Sequence, residues 1–170
     1  MKKVIILSVL FATPVFANEP DLSRDEVFDC VATSQEIESS GERLDRDLQE
    51  LKNIDKQISS AHTSADIWEV NVNMAQANLR TCQTQYFCNQ AANSERNAVA
   101  NYNAIADRIN RLVAEYERKN NSYNRRVDSH NSKVQRSKRQ CDNKTMRAQD
   151  AKDACNNKGD VPFCASMNLR

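Results

Sequence analysis

Reading every seventh residue from Cys30 gives Cys30, Ile37, Leu44, Leu51, Ile58, Ala65, Val72 and Leu79, an unbroken run of apolar positions. That recurrence predicts one long helix with a continuous apolar seam. A second ladder, Ala92, Val99, Ala106, Val113, Asn120, Val127, Val134 and Cys141, is its mirror image, because residue i of the first matches residue 171 minus i of the second at every rung. The intermediate rungs agree: Ile54 falls near Tyr116, Ala61 near Ile109, Trp68 near Tyr102 and Ala75 near Glu95, setting large side chains against small or planar ones. Two helices running past each other in opposite senses produce this symmetry, with the chain reversing about Gln85. The expected fold class is all-α, a long antiparallel two-helix coiled-coil hairpin with arms of roughly 55 residues, about 80 Å each if fully helical.

Three places invite a bend: Gly41, the cluster Ser59-Ser60-Ala61-His62-Thr63-Ser64, and Asn120-Asn121-Ser122. If two of them were true turns, the chain would fold back as a four-helix bundle, which is the runner-up. The hairpin ranks higher because the seven-residue ladders continue through all three without a slip of phase. Asn120 is the one polar rung, opposite Leu51; it reads equally as a buried amide that fixes register or as the mark of a locally bent segment.

Composition narrows the class further. The chain has 170 residues, 39% of them apolar, with two Gly and three Pro. A β-sandwich or an α/β domain needs more turn-formers and strand-formers than that. Met1, Lys2 and Lys3, the apolar run Val4 to Leu10, and Val15-Phe16-Ala17 follow the order of a signal peptide, expected to be cleaved after Ala17. The apolar run is too short to span a membrane. A periplasmic or secreted, bacterial location is therefore expected.

In that oxidising setting the six Cys read as three disulfides, with zinc as the weaker reading: no C-x-x-C pair exists, and His62 and His130 stand alone in sequence. Cys30 and Cys141 share a rung and would clasp the open end of the hairpin. Cys82 and Cys88 flank the mirror point; on one straight helix they would lie about 9 Å apart along the axis, so a bond between them requires the chain to turn there, near 83–87. Cys155 and Cys164 enclose Gly159, Asp160 and Pro162, and would close a C-terminal cap. The organisation expected is a signal peptide at 1–17, a helical hairpin at 18–154 and a disulfide-closed cap at 155–170.

Charge gives a test independent of hydrophobic spacing. Residues 18–69 carry 14 acidic and 5 basic side chains, residues 70–117 carry 4 of each, and residues 118–170 carry 5 acidic and 13 basic. Folding the chain back sets the acidic arm beside the basic one. The basic run from Arg125 to Arg147 therefore reads as the counterpart of that arm, and few aromatics are interleaved with it for stacking on nucleic acid.

The sequence has no Gly-rich phosphate loop, nucleophile elbow or H-E-x-x-H, and acid pairs such as Asp45 and Asp47 read as a solvated face rather than a glycosidase dyad. No catalytic residue, cofactor or metal ligand is assigned, and the chain is expected not to be an enzyme. Partner contacts are expected in three places. Tyr86 and Phe87 lie at the tip, with Phe87 favoured as a plug beside Cys88. Ile67, Val70, Met74, Ile105 and Leu112 lie beside the main seam and widen the apolar stripe, pointing to a homodimer or a partner helix. Val161, Pro162 and Phe163 form either a small cap or a contact.

Phe28-Asp29-Cys30, and Ala148-Gln149 with Cys155 and Cys164, are similar to stretches of small Cys-rich periplasmic proteins of the lysozyme-inhibitor kind. The closely following second Cys and the downstream Trp of such a domain are missing here, and no residue role is carried across. The expected function is a non-enzymatic cell-envelope interaction protein, a rigid coiled-coil spacer or adaptor for another protein. The alternatives are a periplasmic inhibitor or immunity protein against a secreted or cell-wall-lytic enzyme, and an envelope chaperone.

Overall fold

The computed structural model describes residues 21–156, 158 and 161–167. The signal peptide expected at 1–17 lies outside those residues, as do the first positions of the expected hairpin and the last three of the cap. The described chain is all-α: α1 (Arg24–Thr81), α2 (Gln85–Cys141), α3 (Ala148–Ala154) and α4 (Pro162–Ser166). The helices α1 and α2 lie in close contact as a hairpin. Each runs without interruption through Gly41, 59–64 and 120–122, so the four-helix alternative is not formed.

The chain divides into two compact units. The first holds residues up to Asp47 and from Ser122 onward; the second holds Leu48–Asn121.

In the first unit α1 begins where Ser23 and Glu26 cap each other. The Glu26 carboxylate accepts from the Ser23 amide at 2.7 Å and its hydroxyl at 2.8 Å, and the Glu26 amide donates to Ser23 Oγ at 3.4 Å. This Ser-x-x-Glu box satisfies orphan amides of the first turn. Those hydrogen bonds, the backbone one first, hold the Glu26 carboxyl below its ordinary range. At the same end of the hairpin Asn143 takes left-handed backbone (φ 57°) just after α2, a conformation Asn tolerates better than other side-chain-bearing residues. The chain then returns to α1: Leu22 donates to the Thr145 carbonyl at 3.1 Å, and Asp21 and Thr145 exchange amide-to-side-chain bonds.

Around this return lies the main core. Val27, Val31, Met146 and Ala151 have no exposed surface, and Ala154, Val161, Phe163 and Met167 pack into the same cluster with the Cys30–Cys141 pair. Ser34 and Ser137 are buried, and the Phe163 amide at the start of α4 donates to Ser34 Oγ at 3.3 Å. Val161 and Phe163 thus form a cap. The short helix α3, expected within the hairpin, contributes Ala151 and Ala154 to this same core, so the cap begins before Cys155. Burial of these apolar side chains contributes roughly 1.5–3 kcal/mol for each of the larger ones.

The second unit carries the ladders through α1 and α2 alone. Leu51, Ile54, Ala61 and Ala75 are buried on α1 and Ala98 on α2. Ile58, Ala65, Trp68 and Val72 are half-buried between them. Val113 departs from its expected rung: it is 37% exposed, while Leu112 before it is half-buried. A helix at 3.6 residues per turn drifts by about 20° over each heptad, which rolls the preceding residue into the seam. Asn120 is half-buried.

Acidic and basic arms pair as the charge pattern requires. Lys133 reaches Glu36 at 2.8 Å and Arg126 reaches Asp47 at 2.7 Å in the first unit; Lys119 reaches Glu50 at 2.6 Å in the second. All three have the acid on α1 and the base on α2. Being partly exposed, each contributes only about 0.2–1 kcal/mol, and their value is in register. The three disulfides join Cys30 to Cys141, Cys82 to Cys88 and Cys155 to Cys164.

Replacing Cys30 and Cys141 together by Ser releases a loop with a sequence separation of 111, and is expected to lower unfolding free energy by about 4–5 kcal/mol on the chain-entropy model. The Cys82/Cys88 pair, with a separation of 6, should lose about 2 kcal/mol by the same relation. Guanidinium titrations of the two double variants check this order. Gly41→Ala provides a second test, because a Cβ there would meet only His130 Cε1, at an ordinary 3.8 Å. A gain of about 0.5–1 kcal/mol is expected.

Candidate interaction surface

The reversal between α1 and α2 takes three residues, Cys82 to Thr84. Thr84 caps α2: its carbonyl accepts from the Cys88 amide at 2.9 Å and its hydroxyl from the Phe87 amide at 3.4 Å. Tyr86 and Phe87 therefore stand in the first turn of α2, not in the loop, and the Cys82–Cys88 bond holds that turn to the end of α1. Tyr86 is 66% and Phe87 59% exposed, so Phe87 is not a plug. The reason is steric: a three-residue connection leaves no opening at the hairpin end for a ring to fill. Their rings meet edge to face at 5.5 Å, and Gln90 donates to the Tyr86 hydroxyl at 2.9 Å. The pair is pre-oriented, which reduces the side-chain entropy lost on contact with a partner.

The remaining predicted contact residues separate. Ile67 is 58%, Val70 56% and Met74 54% exposed on α1. Ile105 and Leu112 are half-buried in the seam of α2. The free apolar surface is therefore on α1 and at the tip, in the second unit. From Val70 to Ser94 the chain holds a single charged residue, Arg80. Charge depletion with exposed aromatics and Met is the composition of protein contact surfaces. Beside it runs a groove of about 420 Å³, lined by Trp68, Met74, Ala75 and Ala98 and rimmed by the carboxamides of Asn71, Asn78, Asn97 and Asn101.

Chemistry is concentrated in the first unit. Ser40 donates to the Ile37 carbonyl at 2.8 Å, and its oxygen lies 2.7 Å from His130 Nδ1. With the hydroxyl proton given to Ile37, the imidazole is assigned the tautomer protonated on Nδ1. Burial first, then Lys133, hold the His130 pKa below its ordinary value. The arrangement buttresses the helix pair. Tyr123, 6% exposed, is a core residue that the seven-residue ladders skip; burial, then Asp45 and Asp47, push its phenol up. A second groove of about 250 Å³ at the clasp is lined by both signs of charge, Asp21, Glu26 and Asp29 against Arg139 and Lys144. Among the described residues no three His, Cys, Asp or Glu side chains are placed to hold a metal ion.

Comparison with known protein families, with curated proteins and with solved structures gave no match. The surfaces themselves carry the functional reading.

The ladders carry neither the helix caps nor the outward face of α1. The Ser23–Glu26 box and the Thr84 cap were legible as capping residues beside helix ends. The outward face of α1 was not, because a search tuned to one seam treats residues between rungs as its flank.

The lowered pKa of His130 has a definite sign: stability linked to it is complete above about pH 6.5 and is lost as the pH falls through the folded-state value. Denaturation midpoints should therefore fall between pH 7.5 and 5.5. His130→Gln should flatten that decline, while Tyr86→Ser/Phe87→Ser should leave midpoint and helicity within experimental scatter.

Proposed function

We propose that the chain is a non-enzymatic interaction protein of the cell envelope, a helical spacer or adaptor that holds another protein through Tyr86 and Phe87. The observation that carries this reading is the aromatic pair itself: two large rings more than half exposed, on a turn fixed by a helix cap and a disulfide. Exposed aromatics are costly to maintain in water and are the side chains most enriched among binding hot spots. Fixing them on a bonded turn favours binding further, because little order remains to be imposed.

An extracytoplasmic location is supported by three disulfides and by the lack, among the described residues, of a helix long and apolar enough to cross a membrane. Half-burial of Ile105 and Leu112 leaves less apolar surface for an envelope chaperone than the sequence pattern offers.

A photo-crosslinking amino acid at Phe87, compared with one at exposed Lys56, tests the reading in the native envelope under non-reducing conditions. One discrete adduct from position 87, absent from position 56 and lost when Tyr86 is changed to Ser, is expected. Equal labelling from both positions sinks the proposal. If the captured protein is a lytic enzyme whose activity falls stoichiometrically, the adaptor is an inhibitor.

A further inference from the structure

Thr63, Ile67, Val70, Met74, Ala77 and Thr81 recur at steps of 4, 3, 4, 3 and 4, the spacing of a coiled-coil seam. At 100° per residue this row lies roughly 160° around α1 from the row that faces α2. All six residues are exposed. The two threonine hydroxyls are already satisfied, Thr63 donating to the Ser59 carbonyl at 3.2 Å and Thr81 to the Ala77 carbonyl at 3.1 Å. Their methyl groups can therefore be buried without stranding a polar group. The helix α1 carries a second seam on its outer face, and none of the described residues covers it.

We infer that this seam is covered by the same seam of a second copy, packed antiparallel. The occupant is identified by self-complementarity about a two-fold axis near position 72. Pairing residue i with residue 144 minus i sets Ile67 against Ala77, Val70 against Met74 and Thr63 against Thr81, so the bulky Ile67 meets the smallest member of the row. The flanking residues agree independently. Positions just before and just after the seam pair with their own kind in an antiparallel coiled coil, which offsets the sum to 146 on one flank and 142 on the other. On the first flank Asp66 of each copy faces Arg80 of the other, giving two opposite-charge pairs, and Asn73 faces itself. On the other flank Asn71 faces itself and Asn78 faces Ser64. An amide both donates and accepts, so it can pair with its own image across a two-fold axis where a charge would be repelled. A parallel dimer would take Asp66 away from Arg80. The inference uses a different face from Tyr86 and Phe87, so the two readings stand or fall separately.

Sedimentation equilibrium and light scattering of the oxidised full chain test it. Concentration-dependent dimerisation is expected. Ile67→Glu/Met74→Glu should leave a monomer of unchanged helicity, raising Kd by at least about 100-fold. Asp66→Arg alone and Arg80→Asp alone should each weaken association about tenfold, by placing like charges together at both ends of the seam. The double variant Asp66→Arg/Arg80→Asp should restore it to within about threefold, and this rescue should fade at high salt. A chain that is monomeric at all concentrations overturns the inference. So does a dimer indifferent to the Ile67/Met74 change, a dimer lost on Tyr86→Ser/Phe87→Ser, or failure of the charge swap to rescue, since the last removes the antiparallel register.

Discussion

The register between α1 and α2 is the constraint on which the other features rest. Apolar spacing alone would permit slips of one heptad, because Ala, Val and Leu rungs are similar enough to exchange places at modest cost. Two further restraints remove that freedom. Ion pairs from Glu36, Asp47 and Glu50 to Lys133, Arg126 and Lys119 fit one alignment, and the Cys30–Cys141 bond closes only at that alignment. Individually the ion pairs are weak. Together with a covalent clasp they choose among arrangements whose hydrophobic energies differ little.

This division of labour explains the distribution of charge. Acidic and basic residues are concentrated where arms must be registered and where the cap must be held, as in Arg24 with Asp153 at 3.3 Å. Towards the reversal only Arg80 remains, among amides, small apolar residues and two aromatic rings. Solubility of that end rests on Asn and Gln, which are more easily desolvated than charges. A surface of this kind stays hydrated when alone and sheds its water readily when a complementary face arrives.

Most of the fold could be read in the sequence, and the reasons are particular. Mirror ladders with Cys at matching rungs specify a hairpin because helix periodicity and disulfide geometry are independent constraints that agree on Gln85. The cap was less legible. Its core joins Leu22, Met146 and Val161, residues far apart in sequence and without periodicity, and Met146 carries no sign of the burial it attains. Phe87 misled because a ring beside a disulfide is often a plug, whereas Thr84 starts α2 so early that the ring is carried outward. Tyr123 was passed over since it sits between rungs, where only the companion row of α2 reveals it. The candidate site was legible in its residue types and illegible in its exposure, because exposure depends on which way each helix rolls.

The Cys30–Cys141 bond also determines how the molecule carries load. Both bonded residues lie in the first unit, and every residue between them belongs to a closed covalent loop. Tension applied to the two chain ends passes directly across the sulfur bridge and never enters the helices beyond it. A chain pulled by its two ends would keep the segment bearing Tyr86 and Phe87 slack and folded, so that segment would be insensitive to force until the bridge itself is reduced.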